Sequence, residues 1–289
     1  MSDVFNSEFY SKLSTLRMKI SLSNAAGMSG TRKSNAKGNS VEFSDFREYR
    51  LGDDIRRIDW NAYGRFDKLF IKLFMEEKEG IFNVFLDASK SMDYGEKSKA
   101  VCAQRLMGAI SYLVLENGDR LFLNFLEGDK LISYKSLSGI SAFGKVTDYI
   151  DKATFSSQGD ILESLKKKEF RNRGMSFLIS DGFSDNLEEQ IKFLKFNRQE
   201  VVFVHVLARE EVDPQFDGTF NLVDCETGSD IRVTMSNSMI KTYKKSYEAF
   251  INRCEAICKK YSVIYIPVIS DAEMESLMFG SLSKIATKS

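Results

Sequence analysis

The order of apolar and polar positions divides this chain into short segments of two kinds. Residues 81–86, 175–180, 200–207 and 263–269 are brief apolar runs rich in β-branched and aromatic side chains, the pattern of strands buried on both faces. Between them, Ala100, Ala103, Met107, Ile110 and Val114 recur at three-four spacing, and so do Ile240, Tyr243, Tyr247, Ile251, Cys254 and Ile257. Each set marks a helix buried along one side. Shorter helical patterns cover 142–152, 160–170, 187–197 and 272–286. Two hairpins are predicted, one around Glu127-Gly128-Asp129 and one around Thr227-Gly228. Strands alternating with helices imply an α/β fold: a doubly wound, mostly parallel sheet with helices on both faces.

The first 80 residues read differently. Phe5, Phe9, Leu13, Leu16, Met18 and Ile20 predict a short amphipathic helix over 5–22, followed by a Gly/Ser/Lys-rich loop to residue 40. That loop lacks the ordered glycine-lysine spacing of a phosphate-binding loop. Residues 43–49 and 69–75 look extended. Residues 1–80 are therefore expected to form an N-terminal extension packed on a main domain of residues 81–289.

Composition narrows the function classes. Lysine plus arginine equals aspartate plus glutamate at 41 each in 289 residues, so no global charge favours nucleic acid. The longest apolar runs fall far below the ~18 residues of a membrane helix, and the polar first ten residues have no signal-peptide core. The expected protein is cytoplasmic, with no membrane insertion. Cys102, Cys225, Cys254 and Cys258 fit reduced thiols better than zinc, because no second Cys or His pair exists.

The candidate chemistry sits where the run 81–86 should leave the sheet. There Asp87, Ser89 and Ser91 alternate, and ligands of open α/β sheets bind outside the carboxyl ends of the strands. A carboxylate and two hydroxyls on one tight loop suit Mg2+ or Mn2+, which take hard oxygen ligands. The competing reading is a loop whose Asp and Ser only cap orphan N–H groups. Asp181 ends the strand 175–180 as Asp87 ends its own. Two such carboxylates converge if the strands are neighbours, with Asp181 ligating directly or orienting a ligated water. His205, the single histidine, lies inside a strand and reads as a satisfied core residue rather than a base.

A second informative stretch is Gly52-Asp53-Asp54-Ile55-Arg56-Arg57-Ile58-Asp59-Trp60. Arginine forks pair bidentately with carboxylates, so Arg56 or Arg57 with Asp53, Asp54 or Asp59 is expected to fix a rigid turn. A recognition surface is the alternative. The structural role predicts that loss of the Trp60 ring, if buried, costs about 3–5 kcal/mol.

Asp87-Ala88-Ser89-Lys90-Ser91 followed by Ile179-Ser180-Asp181 resembles the metal-ion-dependent adhesion site of von Willebrand factor A domains. The 52–60 stretch, with Phe70-Ile71-Lys72, Glu76-Glu77 and Asp224-Cys225-Glu226-Thr227-Gly228, resembles the bacterial domain-of-unknown-function 58 family. The resemblance implies a von Willebrand factor A-like fold, metal ligands at Asp87, Ser89 and Ser91, and Asp181 as second carboxylate. It departs at the loop that normally supplies a threonine: Gly159 stands there, so either Ser157 or Asp160 is expected to substitute, or the ion binds weakly or not at all. It also implies a non-enzymatic interaction module, an adaptor or co-chaperone of a MoxR-type AAA+ ATPase. The alternatives are a metal-free scaffold and a Mg-dependent phosphoester hydrolase.

Overall fold

A computed structural model describes residues 4–5, 9–11, 13, 42–75, 79–96, 98–157, 160–214, 219–223, 230–234 and 236–272. The chain divides into two compact units. One comprises Met1–Ala26 with Gly80–Lys288, the other Gly27–Glu79. The expected extension of residues 1–80 is therefore split. The reason is packing: Val4, Phe5, Phe9 and Leu13 are buried in the core of the larger unit, and the Val4 carbonyl accepts a hydrogen bond from Arg105 Nε (3.0 Å). Phe9–Ser11 and Leu13 are helical; the rest of the predicted 5–22 helix, the 27–40 loop and the 272–286 helix lie outside the described residues or at their margin.

The larger unit holds the predicted sheet. Its strands are β3 (Ile81–Asp87), β4 (Arg120–Glu127), β5 (Lys130–Ser133), β6 (Leu137–Ser138), β7 (Gly174–Ser180), β8 (Gln199–Leu207) and β11 (Ile264–Ile269). The order is β11-β8-β7-β3-β4-β5, with β6 also pairing with β4. All pairs are parallel except β4 with β5 and β6. The β4–β5 turn is the expected Glu127-Gly128-Asp129 hairpin, and Gly128 takes the left-handed φ (56°) such a turn requires. A separate hairpin, β9 (Thr219–Val223) with β10 (Asp230–Thr234), is antiparallel; its predicted turn at Thr227-Gly228 lies outside the described residues.

The period of two assigns successive strand residues to opposite cores. Val84, Leu86, Ile179, Val202 and Val204 join one cluster with α2 (Lys99–Glu116), α3 (Phe143–Asp151) and the N-terminal Phe5 and Phe9. Phe85, Leu178, Val201 and Phe203 join the other. That second core is closed by α4 (Ile161–Lys166), α5 (Leu187–Phe196) and α7 (Asn237–Lys260). The sheet is thus doubly wound and of Rossmann type, as expected. Numbered in chain order over the six strands of this path, with β6 left aside, the spatial order reads 3-2-1-4-5-6. The order reverses between β3 and β7, and such a switch point is where the ligand crevice of an open α/β sheet forms, outside the strands' carboxyl ends.

The smaller unit is a two-stranded antiparallel sheet, β1 (Glu42–Glu48) with β2 (Phe70–Met75), around the buried Ile58 and Ile71. Between the strands lie a 3-10 turn, Ile55–Arg57, and the helix α1 (Trp60–Phe66). Three aspartates shape this connection. Asp53 accepts from Arg50 N (2.8 Å) and pairs with Arg47 (2.9 Å). Asp54 caps the 3-10 turn through Arg56 N (3.0 Å). Asp59 caps α1 through Asn61 N and Ala62 N and pairs with Lys72 (3.2 Å). The expected arginine forks are not what holds the turn. Arg56 stands 3.7 Å from Asp54 with both side chains exposed, and no carboxylate among the described residues pairs with Arg57. Short aspartates at bends satisfy backbone N–H groups two or three residues away, and that local demand wins here. The Trp60 ring is 65 % exposed rather than buried.

Candidate functional site

Asp87 is the last residue of β3 and is 3 % exposed. Its neighbours are fixed by the parallel register, which brings the end of β7 alongside. Oδ2 accepts from Ser180 Oγ (2.7 Å) and Oδ1 from Ser89 N (2.9 Å). Burial, and after it the Asp181 charge, push this carboxyl up to about 6; the hydrogen bonds from Ser180 and Ser89 pull the other way and lose. Ser180, which sequence reasoning passed over, is therefore a direct partner of the motif aspartate. It stood in the Ile179-Ser180-Asp181 run without a role of its own.

The serines separate the two readings of the motif. Ser89 precedes the 3-10 turn Lys90–Met92, yet its side chain makes no capping hydrogen bond. Instead Ser89 Oγ and Ser91 Oγ face each other at 3.0 Å. Ligands at 2.0–2.1 Å on adjacent vertices of an octahedron stand about 2.9 Å apart. The donor set thus fits a hard divalent cation: a buried carboxylate short of compensating charge, beside two hydroxyls at ligand spacing. Asp87, Ser89 and Ser91 are the residues that would hold it.

The loop before α4 is docked on this motif. Ser157 bridges to Ser89, its carbonyl accepts from Lys90 N (3.0 Å), and its hydroxyl donates to the Ala88 carbonyl (2.8 Å). Ser157 is brought to the site but spends its proton on the backbone. Asp160 caps α4 through Leu162 N (2.8 Å), and its other oxygen accepts from Asn186 Nδ2. Both oxygens of the expected substitute ligand are engaged. Gly159 lies outside the described residues.

Asp181 follows β7 and is buried. Gly182 allows the chain to turn there: at φ 68° an added Cβ would sit 3.3 Å from His205 Nε2 and from the Phe203 ring. One Asp181 oxygen accepts from Phe183 N (3.2 Å) and the other is 2.9 Å from Lys99 Nζ. Lys99 is 1 % exposed and also meets Glu211 at 2.6 Å. Glu211 lies on the short helix α6 (Arg209–Val212), beyond the end of β8. Burial alone would lower the Lys99 pKa; Asp181 and Glu211 outweigh it and raise it. Lys99 was missed in the sequence. One signal was there: it opens a helix, where the dipole disfavours a cation, so another charge had to hold it.

His205 is buried and committed at both ring nitrogens. Nε2 lies 2.7 Å from the Asp181 carbonyl and Nδ1 2.8 Å from Tyr265 Oη. Burial pushes its pKa down to about 4. It is the satisfied core histidine the sequence predicts. Cys102, Cys254 and Cys258 are buried and free.

The family described as "Protein of unknown function DUF58" matches residues 45–275. This chain belongs to that family. Uncharacterized proteins of Mycobacterium bovis and Mycobacterium tuberculosis are each 24% identical to it over 238 residues, 78% of this chain and 74% of theirs. Among solved structures, the chain is similar to the hypothetical protein BatB from Bacteroides thetaiotaomicron. That likeness has a TM-score of 0.45 at 16% identity, covering 72% of this chain and 100% of that one. An aerotolerance-related membrane protein from Bacteroides fragilis gives 0.46 at 14% identity, covering 73% and 100%. Among the described residues of the present family member, no helix is long and apolar enough to cross a membrane.

Proposed function

We propose that this protein is a non-enzymatic interaction module that grips an acidic side chain of a partner protein through a divalent cation. Asp87, Ser89 and Ser91 would hold Mg2+ or Mn2+ at the switch-point crevice. Bound there, the ion would supply a Lewis-acid contact for a carboxylate oxygen of the partner. The observation that carries this reading is the hydroxyl pair at 3.0 Å beside the buried Asp87 carboxyl. Ser180 and Ser89 N orient that carboxyl, and the 157 loop holds the motif in shape.

The hydrolase alternative is less well supported. Phosphoryl chemistry needs cationic clamps on the developing charge. Lys99, the buried cation of the crevice, is already held by two carboxylates, and His205 is tied at both nitrogens. The partner implied by the family resemblance is a MoxR-type AAA+ ATPase, which makes the protein its adaptor or co-chaperone.

The test is a pull-down of a MoxR-type ATPase from the same organism by wild type and by Asp87→Ala, with Mg2+ or with chelator. Capture that needs both the metal and Asp87 is expected. Capture indifferent to chelator and to Asp87→Ala would favour a metal-free scaffold. Metal-dependent turnover of a phosphoester would sink the non-enzymatic reading.

A further inference from the structure

The crevice holds three buried or nearly buried carboxylates, Asp87, Asp181 and Glu211, and one fully buried ammonium, Lys99. The ammonium does not serve them equally. It lies within hydrogen-bond distance of Asp181 (2.9 Å) and Glu211 (2.6 Å). Asp87 is left with hydroxyl and amide donors only. The Lys99 Nζ is further enclosed by the faces of Phe183 (5.3 Å) and Tyr94 (5.7 Å), which favour a cation. This is a built cation site, and its occupant is a side chain.

We propose that Lys99 acts as a resident counter-cation that keeps Asp181 from contributing its charge to a divalent ion at Asp87, Ser89 and Ser91, and so sets the site's metal affinity low. The inference rests on the metal-binding reading above and deepens it. A carboxylate oxygen that accepts from an ammonium is less available to a metal or to its waters. An ammonium beside the crevice also repels a second cation, and in a poorly solvated site that repulsion is little screened. The charges are consistent with this arrangement. Three carboxylates and one ammonium leave two negative charges, which one divalent ion neutralises. Removing the ammonium leaves three and releases Asp181 towards the ion. Lys99 is a positioning residue in this account, not a ligand. A purely structural ion pair would make a different prediction, because its loss would loosen the site and weaken metal binding.

The experiment is calorimetric titration with Mn2+ of wild type, Asp87→Ala, Lys99→Met, Lys99→Arg and the double variant Lys99→Met/Asp181→Asn. Lys99→Met is expected to tighten Mn2+ binding about tenfold or more, roughly 1.4 kcal/mol. Lys99→Arg, which keeps the charge, should stay within about threefold of wild type. The double variant should return to the wild-type value, because the gain comes from Asp181. Where Lys99→Met folds poorly without metal, Lys99→Met/Glu211→Gln removes the pair in balance and still frees Asp181 from the ammonium, so binding tighter than wild type is again expected. Its melting temperature in excess Mn2+ against chelator then reads the same linkage. Binding by Lys99→Met that appears where wild type shows none would also support the proposal. Equal or weaker binding by folded Lys99→Met, with Asp87→Ala still abolishing binding in wild type, overturns this inference alone. No binding by any variant overturns the metal reading and the inference with it.

Discussion

At the scale of single residues, Asp87 and His205 set opposite pH dependences in the same interval. The Asp87 carboxyl is raised to about 6, so the folded chain holds its proton more tightly than the unfolded one. Its contribution to stability is present in acid and falls as pH rises towards 6. His205 is lowered to about 4. As pH drops below about 6.5 the unfolded chain takes up that proton first, and stability falls with acid. The two shifts are of similar size and opposite sign, so these two contributions nearly cancel in the chelated wild type between about pH 4 and 6. Asp87→Asn should uncover the histidine, with stability declining by up to about 1.4 kcal/mol per pH unit on acidification. Urea unfolding across that interval, with chelator present, measures both. A wild type and an Asp87→Asn variant with parallel pH profiles would show that Asp87 is not the raised group.

At the scale of elements, the aspartates that open helices are separable from those at the site. Asp160→Ala removes the cap of α4 and the Asn186 contact. It should cost about 0.5–2 kcal/mol in stability while leaving Mn2+ affinity within about threefold. A loss of affinity as large as that of Asp87→Ala would instead make Asp160 a ligand. Likewise Asp59→Ala, which removes the cap of α1, should destabilise by about 1 kcal/mol or more, whereas the exposed Trp60→Ala should stay within about 0.5 kcal/mol. Thermal melts of the two variants decide this. The strands, the hairpin at Gly128 and the long helices were legible because period-two and three-four patterns act within a few residues. The motif Asp87-x-Ser89-x-Ser91 was legible for the same reason. Lys99 was not, because its partners lie 82 and 112 residues away, and only the fold brings them together. The arginine forks expected around Asp53 and Asp59 failed because nearer N–H donors, with Arg47 and Lys72, were already in place.

At the scale of the whole molecule, the chain contributes to its larger unit from both sides of the smaller one. The N-terminal contribution is small but buried. Phe5 and Phe9 lie against Gly108 of α2, where an added Cβ would come within 2.6 Å of the Phe5 ring. Tyr10 meets Phe143 edge-on at 6.3 Å. Phe9→Ala should therefore cost about 3–5 kcal/mol, read as a lowered denaturant midpoint, and a midpoint unchanged from wild type would contradict that packing. The smaller unit is thus an insertion, entered and left by a chain whose two ends belong to one core. A backbone cut engineered between residues 14 and 41 would not release the first segment by itself. The severed peptide would remain seated by its aromatic rings, and the two fragments, expressed apart, should reassemble on mixing like a split protein.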